Sequence, residues 1–280
     1  MKYHIEKNTV QETLIIPLFG KKKCSELYPT LYYDNTAIKV IEQIDYDFST
    51  LEKVSKKFIQ RFGFLEVAMR QNDLIWEIKD YLKTHPKASV VNLGCGLDDT
   101  GTFIDNGECK IYNLDFPEVI EIRNELIPKK NNEYNIPCNL NDLNWFEKID
   151  QTNGAVFFAA GVFYYFVKED VKKIITKMAE HFKGAKLVFD AANKKAVKLM
   201  LKTWIKSAKI KNVNAYFSVS NAKKEISSWS DNIEVSSRGY MLGYLDDSKY
   251  KLKGFNKLLS KIGDNMMKMQ IVRIDFKERK

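Results

Sequence analysis

The stretch Val90–Gly101, VVNLGCGLDDTG, places two closely spaced glycines directly after a short apolar run. Glycine after a buried strand permits unusual backbone angles and lets a ligand lie against the main chain. In open α/β sheets that ligand lies beyond the carboxyl ends of the strands. The stretch therefore predicts a ligand-binding turn that follows the first strand of such a sheet.

The residues after the two glycines argue against two common phosphate-binding turns. A dinucleotide fingerprint, GxGxxG, needs a third glycine where this chain has Asp99, and a P-loop needs a Gly-Lys-Ser/Thr sequence that is also missing. Asp98 and Asp99 would repel a pyrophosphate on the following helix N-terminus. They are compatible with a ligand that carries a cationic centre and an ammonium group, and S-adenosylmethionine (SAM) has both.

A further acidic residue, Asp115, follows the next apolar run, Lys110–Leu114. An acid at the end of the second strand, about 20 residues past the glycines, can accept hydrogen bonds from both ribose hydroxyls of an adenosine-type ligand. This feature fits NAD and SAM equally well. The early proline of the segment DFPE also suits a helix start, so that Asp115 can serve as a helix cap as well.

From Ala88 onward, short apolar runs alternate with helical patterns, which predicts a parallel sheet covered on both faces. The predicted strands are Ser89–Leu93, Lys110–Leu114, Asn135–Cys138, Ala155–Ala160, Lys186–Asp190, Ile233–Leu242 and Lys268–Phe276. The predicted helices are Glu118–Leu126, Trp145–Ile149, Glu169–Phe182, Lys194–Lys206 and Asn221–Trp229.

Residues 1–85 are predicted to be mostly helical. Apolar residues recur at helical spacing in Phe48–Phe62 and again in Val67–Leu82. The second pattern stops near Pro86, because proline cannot continue a helix. We therefore expect a helical N-terminal cap or lid, residues 1–85, on one compact α/β core, residues 86–280.

Composition narrows the classes of partner. No apolar run reaches the roughly 18 residues of a membrane span, and the N-terminal segment MKYHIEKNTVQETL has no apolar stretch of signal-peptide type. We therefore expect a cytoplasmic protein without a membrane partner. The net charge is +9, but the lysines are dispersed among acids, so no nucleic-acid partner is expected. The four cysteines include no CxxC pair and only three histidines are present, so no metal site is expected.

Four segments, in this order, make the chain resemble the leucine carboxyl methyltransferase / polyketide O-methyltransferase family of class I SAM-dependent enzymes. They are LIIPLFGKKK with YYDNTAIKVIEQIDYDF; MRQNDLIWEIKDYL; VVNLGCGLDDT with YNLDFPEVIEIR; and CNLNDLNWF with FFAAGVFYYF. The resemblance spans residues 13–245. It implies a Rossmann-like α/β sheet, mostly parallel with an antiparallel last strand, and SAM as the cofactor.

The resemblance also implies roles for individual residues. Arg70 matches the arginine that binds the methionine carboxylate of the cofactor, and Asp115 matches the acid that holds the ribose. Asn139 stands where the family has an aspartate near the adenine, and its amide can both accept and donate a hydrogen bond there. The expected cofactor-binding residues are Arg70, Gly94, Cys95, Gly96, Asp115, Phe116, Asn139, Leu140 and Ala160.

Two positions depart from the family pattern. Ala160 replaces the glutamate of a Glu-Gly pair, and Asp98-Asp99-Thr100 replaces Asp-Thr-Arg, so that an arginine is missing. These departures leave open a non-catalytic or weakly active SAM-binding protein. The other alternative, an NAD-dependent Rossmann oxidoreductase, is disfavoured by the missing third glycine.

The expected reaction is methyl transfer to a carboxylate or a phenolic hydroxyl of a small molecule. A carboxylate acceptor needs a cationic holder, whereas a phenol benefits from a general base. The candidate catalytic residues follow the later strands of the predicted sheet, and they are Tyr164, Tyr165, Asp190 and Arg238, with Tyr240 as a further candidate acceptor contact. Aromatic residues of the predicted cap are candidates to line an apolar acceptor pocket. These patterns leave the oligomeric state open.

Overall fold

The computed structural model describes residues 2–5, 10–206, 214–241, 252 and 254–278. Its strands, in chain order, are β1 Tyr3–His4, β2 Ile44–Asp45, β3 Ser89–Leu93, β4 Lys110–Asp115, β5 Glu133–Pro137, β6 Ala155–Ala159, β7 Lys186–Ala191, β8 Ile233–Gly239 and β9 Gln270–Phe276. Its α-helices are α1 Val10–Leu27, α2 Asn35–Gln43, α3 Ser49–Ser55, α4 Phe58–Thr84, α5 Gly101–Ile104, α6 Pro117–Leu126, α7 Lys168–His181, α8 Lys194–Met200, α9 Ala222–Ile226 and α10 Gly254–Asn265.

Seven strands form one sheet in the order β5-β4-β3-β6-β7-β9-β8, and β1 pairs separately with β2. The strands from β3 to β7 run parallel to their neighbours, whereas β9 runs antiparallel to both β7 and β8. The predicted mostly parallel sheet with an antiparallel last strand is confirmed. The chain order reverses between β3 and β6, so the loops after these two strands diverge and leave a crevice at their carboxyl ends.

The side chains of the central strands alternate between two cores, because successive residues of a strand face opposite sides of the sheet. Val90 and Val156 pack in the core that also contains side chains of α1, α2 and α4. Val91 and Phe157 pack in the opposite core with α7. All of β3 is buried, as expected of a strand that is covered on both faces.

The N-terminal helices differ in their boundaries from the sequence expectation. A break was expected between Phe62 and Val67, but α4 runs continuously from Phe58 to Thr84, and the chain is extended instead at Lys57. Gly63 lies inside this helix, where glycine costs about 0.5–1 kcal/mol relative to alanine. Phe62, Gly63 and Phe64 are all buried, so tertiary packing overrides the local propensity.

Three smaller elements also differ. The expected helix at Trp145–Ile149 is a 3-10 turn at Leu143–Lys148, and the helix expected to continue to Lys206 becomes π-helical at Leu201–Lys206. The strand expected at Ile233–Leu242 ends at Gly239, and Leu242 lies outside the described residues. None of the described helices is both long enough and apolar enough to span a bilayer.

Candidate active site

A cavity of about 670 Å³ lies at the carboxyl ends of the central strands, in the crevice that the strand order predicts. Its walls are formed by α1 and α4 on one side and by the loops after β3, β4, β5 and β6 on the other. The volume is within the range of small-molecule sites. A ligand in this cavity would contact both the N-terminal helices and the loops at the end of the sheet.

Both glycines after β3 have left-handed backbones, with φ +66° at Gly94 and +50° at Gly96. A Cβ at Gly94 would lie 2.8 Å from both γ-methyl carbons of Val162, and a Cβ at Gly96 would lie 3.2 Å from a methyl carbon of Leu14. Contact with Val162 therefore excludes a side chain at Gly94, independently of any ligand that approaches the backbone. Val162 follows β6, so the loops after β3 and β6 pack against each other at the switch point, the place where the strand order reverses.

Asp115 lines the cavity at the end of β4. Its carboxylate accepts hydrogen bonds from the backbone N–H of Gly96 at 2.7 Å and of Phe116 at 2.8 Å. Burial raises the pKa of Asp115, and these two hydrogen bonds oppose that shift. The residue thus links the glycine turn to the start of α6 and still presents its carboxylate to the cavity.

The two acids after the glycine turn do not present unpaired charge to a ligand, contrary to the sequence expectation. Asp98 forms a close ion pair with Lys21 of α1, and it also accepts from Asn92 at 3.0 Å and from Thr100 at 2.6 Å. Asp99 accepts from two threonine hydroxyls, at 2.7 Å each, and is not among the residues that line the cavity. The lysine that neutralises Asp98 lies 77 positions earlier in the sequence, so local pattern reasoning did not reveal it.

Arg70 lines the cavity from α4 and forms an ion pair with Asp190, with 3.1 Å between Nη1 and Oδ2. Burial alone would lower the pKa of Arg70, but Asp190 and the other neighbouring acids raise it. Within the part of the chain that the structure describes, the buried Nε of Arg70 has no hydrogen-bond partner. The Arg70 side chain as a whole is 18% exposed and lines the cavity, so an anionic ligand group can meet the guanidinium there.

Asp190 does not reach the cavity as the sequence suggested. It is buried, and it accepts from Arg70 and from the backbone N–H of Gly161 at 2.6 Å. Asp190 pairs with Arg70, which does line the cavity, and Arg70 also lies against Gly161, where a Cβ would be 3.3 Å from Nη1. Asp190 therefore positions Arg70 and the loop after β6.

The two candidate tyrosines lie in different environments. Tyr165 lines the cavity, whereas Tyr164 is buried next to Asp190 and is not part of the lining. Burial raises the pKa of both phenols, and that of Tyr164 well above its ordinary value. Both hydroxyls therefore stay protonated at neutral pH, so neither acts as a base there.

Arg238 lies away from the cavity. It is exposed on β8, the edge strand beyond β9, and lines a separate small polar depression with Asp264 and Lys268. The strand order places β7 and β9 between β8 and the switch point, which is why a residue on this strand does not contact the main cavity. Tyr240, just beyond β8, is buried and contacts α4.

The loop after β5 contributes two asparagines with different roles. Asn139 lines the cavity but is exposed, and its side-chain oxygen accepts from the backbone N–H of Asn141 at 3.0 Å. Asn141 also lines the cavity, and its side-chain oxygen is buried without a hydrogen-bond partner among the described residues. Cys95, Leu140, Phe116 and Ala160 are further residues of the lining. The sequence analysis did not single out Asn141.

Glu66 is a second residue that the sequence analysis missed. It lines the cavity one helical turn before Arg70, and its Oε1 accepts from the hydroxyl of Tyr240 at 3.2 Å. Burial raises the pKa of Glu66 to about 7, although Arg70 and Tyr240 act against the shift. The spacing of Glu66 and Arg70, four residues apart in a helix, is the signal that would have placed both on one face.

Glu66 predicts a pH dependence of folding stability. Its folded-state pKa of about 7 lies above the ordinary value of 4.5, so the folded protein holds this proton more tightly than the unfolded chain. The contribution of Glu66 to the free energy of unfolding is fully present below about pH 4.5. It falls by about 1–3 kcal/mol as the pH rises through about 7. Urea unfolding across this range should show the decline, and Glu66→Gln should remove it. An equal decline in the variant would contradict the assignment.

No group of three or more histidine, cysteine, aspartate or glutamate side chains is arranged to hold a metal ion within the described ranges.

Comparison with known proteins identifies related sequences. Residues 73–179 match a family model described as leucine carboxyl methyltransferase. The tetracenomycin polyketide synthesis O-methyltransferase TcmP of Streptomyces glaucescens is 26% identical over 183 residues, which cover 65% of this chain and 66% of that protein. The alignment thus spans about two thirds of this curated relative.

Solved structures resemble the fold at low sequence identity. A candidate methyltransferase of Thermobifida fusca has a TM-score of 0.59 at 12% identity, covering 86% of this chain and 94% of that one. The plantazolicin methyltransferase BamL, in complex with a triazolic desmethylPZN analog and SAH, has a TM-score of 0.54 at 11% identity, covering 97% of this chain and all of that one, 100%. At these identities the resemblance concerns the fold.

Proposed function

We propose that this chain is a member of the leucine carboxyl methyltransferase / TcmP-like family and a SAM-dependent O-methyltransferase that acts on a small molecule. The observation that carries the proposal is the cavity at the switch point, where the glycine turn, Asp115 and Arg70 converge. The alternatives of an NAD-dependent oxidoreductase and of a protein without methyl-transfer activity are not favoured by the family match.

The charges of the cavity suit a zwitterionic ligand that carries an additional positive centre. Among the residues that the structure describes, two cations, Lys21 and Arg70, line it together with four acids, which are Glu66, Asp98, Asp115 and Asp170. Arg70, whose side chain is 18% exposed and lines the cavity, would hold the methionine carboxylate through charge-assisted hydrogen bonds. The remaining acidic balance would favour the sulfonium and ammonium groups by longer-range attraction.

The nucleoside half would occupy the other end of the cavity. Asp115 would accept from the ribose hydroxyls, which is compatible with its existing bonds because each carboxylate oxygen has more than one lone-pair site. Asn139, which is exposed and lines the cavity, would accept from the exocyclic amino group of adenine. The side-chain oxygen of Asn139 already accepts from the backbone N–H of Asn141, but an amide oxygen has a second lone pair for the ligand.

When bound, SAM supplies an electrophilic methyl group. The chain's own contribution is to align the acceptor and to exclude water, which in favourable cases lowers a barrier by about 7–11 kcal/mol. In the proposed arrangement the N-terminal segment, residues 1–85, acts as the lid. Its helix α1 lines the cavity and is tied to the glycine turn through the ion pair of Lys21 with Asp98.

Calorimetric titration of the purified protein with SAM and with its demethylated product tests the cofactor assignment, and transfer of a labelled methyl group to small aromatic acceptors tests the activity. We expect saturable binding of both compounds to one site. NADH serves as the control nucleotide and should not bind. Absence of binding by SAM at millimolar concentration would contradict the proposed function.

Asp115→Asn is expected to weaken SAM binding by about 1.5–3 kcal/mol, roughly 10- to 150-fold, because one charged acceptor for the ribose hydroxyls is lost. The amide oxygen can still accept from Gly96, while the backbone N–H of Phe116 then faces the amide nitrogen and loses its acceptor, so urea unfolding has to show that the variant folds. The matched control is Glu118→Gln, an exposed acid three residues further along. Equal affinity of the Asp115 variant and the control would restrict Asp115 to a structural role.

A further inference from the structure

The cavity has two ends that differ electrostatically. Asp115 interacts with Arg123 and Glu118 at the end near β4. Glu66 interacts with Arg70, Asp190 and Tyr240 at the end near β7. The part of the lining that the nucleoside contacts do not use is largely apolar and includes Ile16, Pro17, Val67, Met200 and Tyr216. This surface is suited to the apolar rings of an acceptor.

The cations at the cavity do not provide a holder for a carboxylate acceptor. Among the described residues, the cations of the lining are Lys21 and Arg70. Lys21 is paired with Asp98 and lies 3.8 Å from Asp34, and Arg70, which is paired with Asp190, is assigned to the methionine carboxylate of the cofactor in the proposed function. A carboxylate acceptor near Glu66 would therefore meet a like charge, which costs several kcal/mol when water is excluded.

Glu66 is placed where it can contact a methyl acceptor in the cavity. Its carboxyl lies in the cavity wall, on the same face of α4 as Arg70, and Tyr240 holds Oε1 by a hydrogen bond of 3.2 Å. Buried tyrosine and arginine neighbours fix its environment. A carboxylate held in this way can accept a proton from a hydroxyl that enters the apolar part of the cavity.

We propose that Glu66 is the general base of the transfer reaction and that the acceptor is a neutral hydroxyl compound, a phenol or an enol on an apolar ring system. This inference rests on the proposed function. The acceptor oxygen forms a bond to the methyl carbon, and the carbon–sulfur bond breaks with its electron pair going to sulfur. The hydroxyl proton passes to the carboxylate of Glu66 and from there to solvent.

The pKa values of Glu66 and of the groups around it support this role. Glu66 is faced by Arg70 from its own helix, by Asp190 from β7, by Tyr164 from the turn after β6 and by Tyr240 beyond β8. Arg70 stays charged, and burial raises the pKa of both tyrosines well above 10. Glu66, with a pKa of about 7, is thus matched to a proton transfer at neutral pH.

The experiment compares 2-naphthol with 2-naphthoate, two probes that differ in the acceptor group on the same ring system. Calorimetry first establishes that the demethylated cofactor binds to the wild-type protein. Each probe is then titrated into that complex at a pH where the naphthol is neutral and Glu66 is ionised. We expect 2-naphthol to bind at least about tenfold more tightly than 2-naphthoate, because the carboxylate probe meets the charge of Glu66.

Glu66→Gln is expected to reduce this preference to nearly equal affinities, and to lower turnover of 2-naphthol with SAM by about 100-fold or more. Affinity for the demethylated cofactor should stay nearly unchanged, because Glu66 makes no direct contact with it in the proposed arrangement and contributes only longer-range attraction. Glu180→Gln, at an exposed acid on α7, is the matched control and should retain both the preference and the turnover.

Three results would overturn the inference. One is equal or tighter binding of 2-naphthoate by the wild-type complex, or binding of neither probe at millimolar concentration. Another is unchanged probe preference in Glu66→Gln. The third is a loss of cofactor affinity in Glu66→Gln, which would make Glu66 a cofactor contact. If the wild-type protein does not bind the demethylated cofactor, the proposed function fails as well. The wild-type comparison stands even if the variant does not fold.

Discussion

Arg70→Met is expected to weaken SAM binding by about 1.5–3 kcal/mol, roughly 10- to 150-fold, because the guanidinium would be the charged donor to the methionine carboxylate. Methionine keeps the apolar part of the side chain and its packing. The guanidinium has five N–H donors, so Arg70 can bind the ligand while it keeps the ion pair with Asp190. Calorimetric titration with SAM measures the loss, and unchanged affinity would remove Arg70 from the site.

The same substitution is expected to destabilise the fold. Asp190 is buried, with its side chain 2% exposed, and loses its cationic partner. Breaking a buried pair by removing one partner costs about 3–5 kcal/mol. The single variant alone would therefore confuse a folding defect with a binding defect.

A double variant separates the two effects. Arg70→Met combined with Asp190→Asn removes the unpaired charge, while the amide oxygen can still accept from the backbone N–H of Gly161. We expect urea unfolding to show that most of the lost stability returns, whereas SAM affinity stays low. If affinity returned together with stability, Arg70 would act only by holding the loop after β6.

The sheet could be predicted from the sequence because its strands are short apolar runs bounded by turn residues. The predicted Ser89–Leu93 is identical to β3, and the expected runs for the other parallel strands differ from the observed ones by one to two residues at their ends. The position of Asp115 at the end of β4 followed directly from this pattern. Local patterns suffice here because each strand of a doubly covered sheet is apolar throughout.

The partners of the charged residues could not be predicted in the same way. Lys21 meets Asp98 across 77 positions and Arg70 meets Asp190 across 120. Such contacts depend on how helices of the first 85 residues lie on the sheet, and no local period encodes that. Pro17 even argues against a helix by local rules, yet α1 runs through it and presents it to the cavity.

The same limit applies to the acceptor end of the cavity. In the sequence, Glu66 is one acid among others in a helical pattern. What distinguishes it is the hydrogen bond that it accepts from Tyr240, 174 positions away. Arg238 is the opposite case. Its position on a late strand suggested that it faces the ligand, but it does not line the cavity. The order β7-β9-β8 places that strand at the sheet edge. Topology, rather than residue type, decides which of these residues can meet a ligand.

Lys21→Met is expected to lower the free energy of unfolding by about 3–5 kcal/mol, because it leaves buried acids without their cation. Lys21 is 6% exposed and pairs with Asp98, and Asp34 lies 3.8 Å away with its side chain 2% exposed. Lys22→Met is the matched control. Lys22 is 26% exposed and forms an i,i+4 pair with Glu26, so its loss should cost under about 0.5 kcal/mol.

Hydrogen exchange gives this prediction a local readout. The ion pair of Lys21 with Asp98 joins α1 to the glycine turn, so its loss should increase exchange of the backbone amides of α1 more than those of the buried strand β3. If Lys21→Met matched Lys22→Met in both stability and exchange, the ion pair would not hold α1 on the cavity. The proposed lid would then depend on apolar packing alone, through residues such as Leu18, which is buried, and Leu14, which meets the glycine turn.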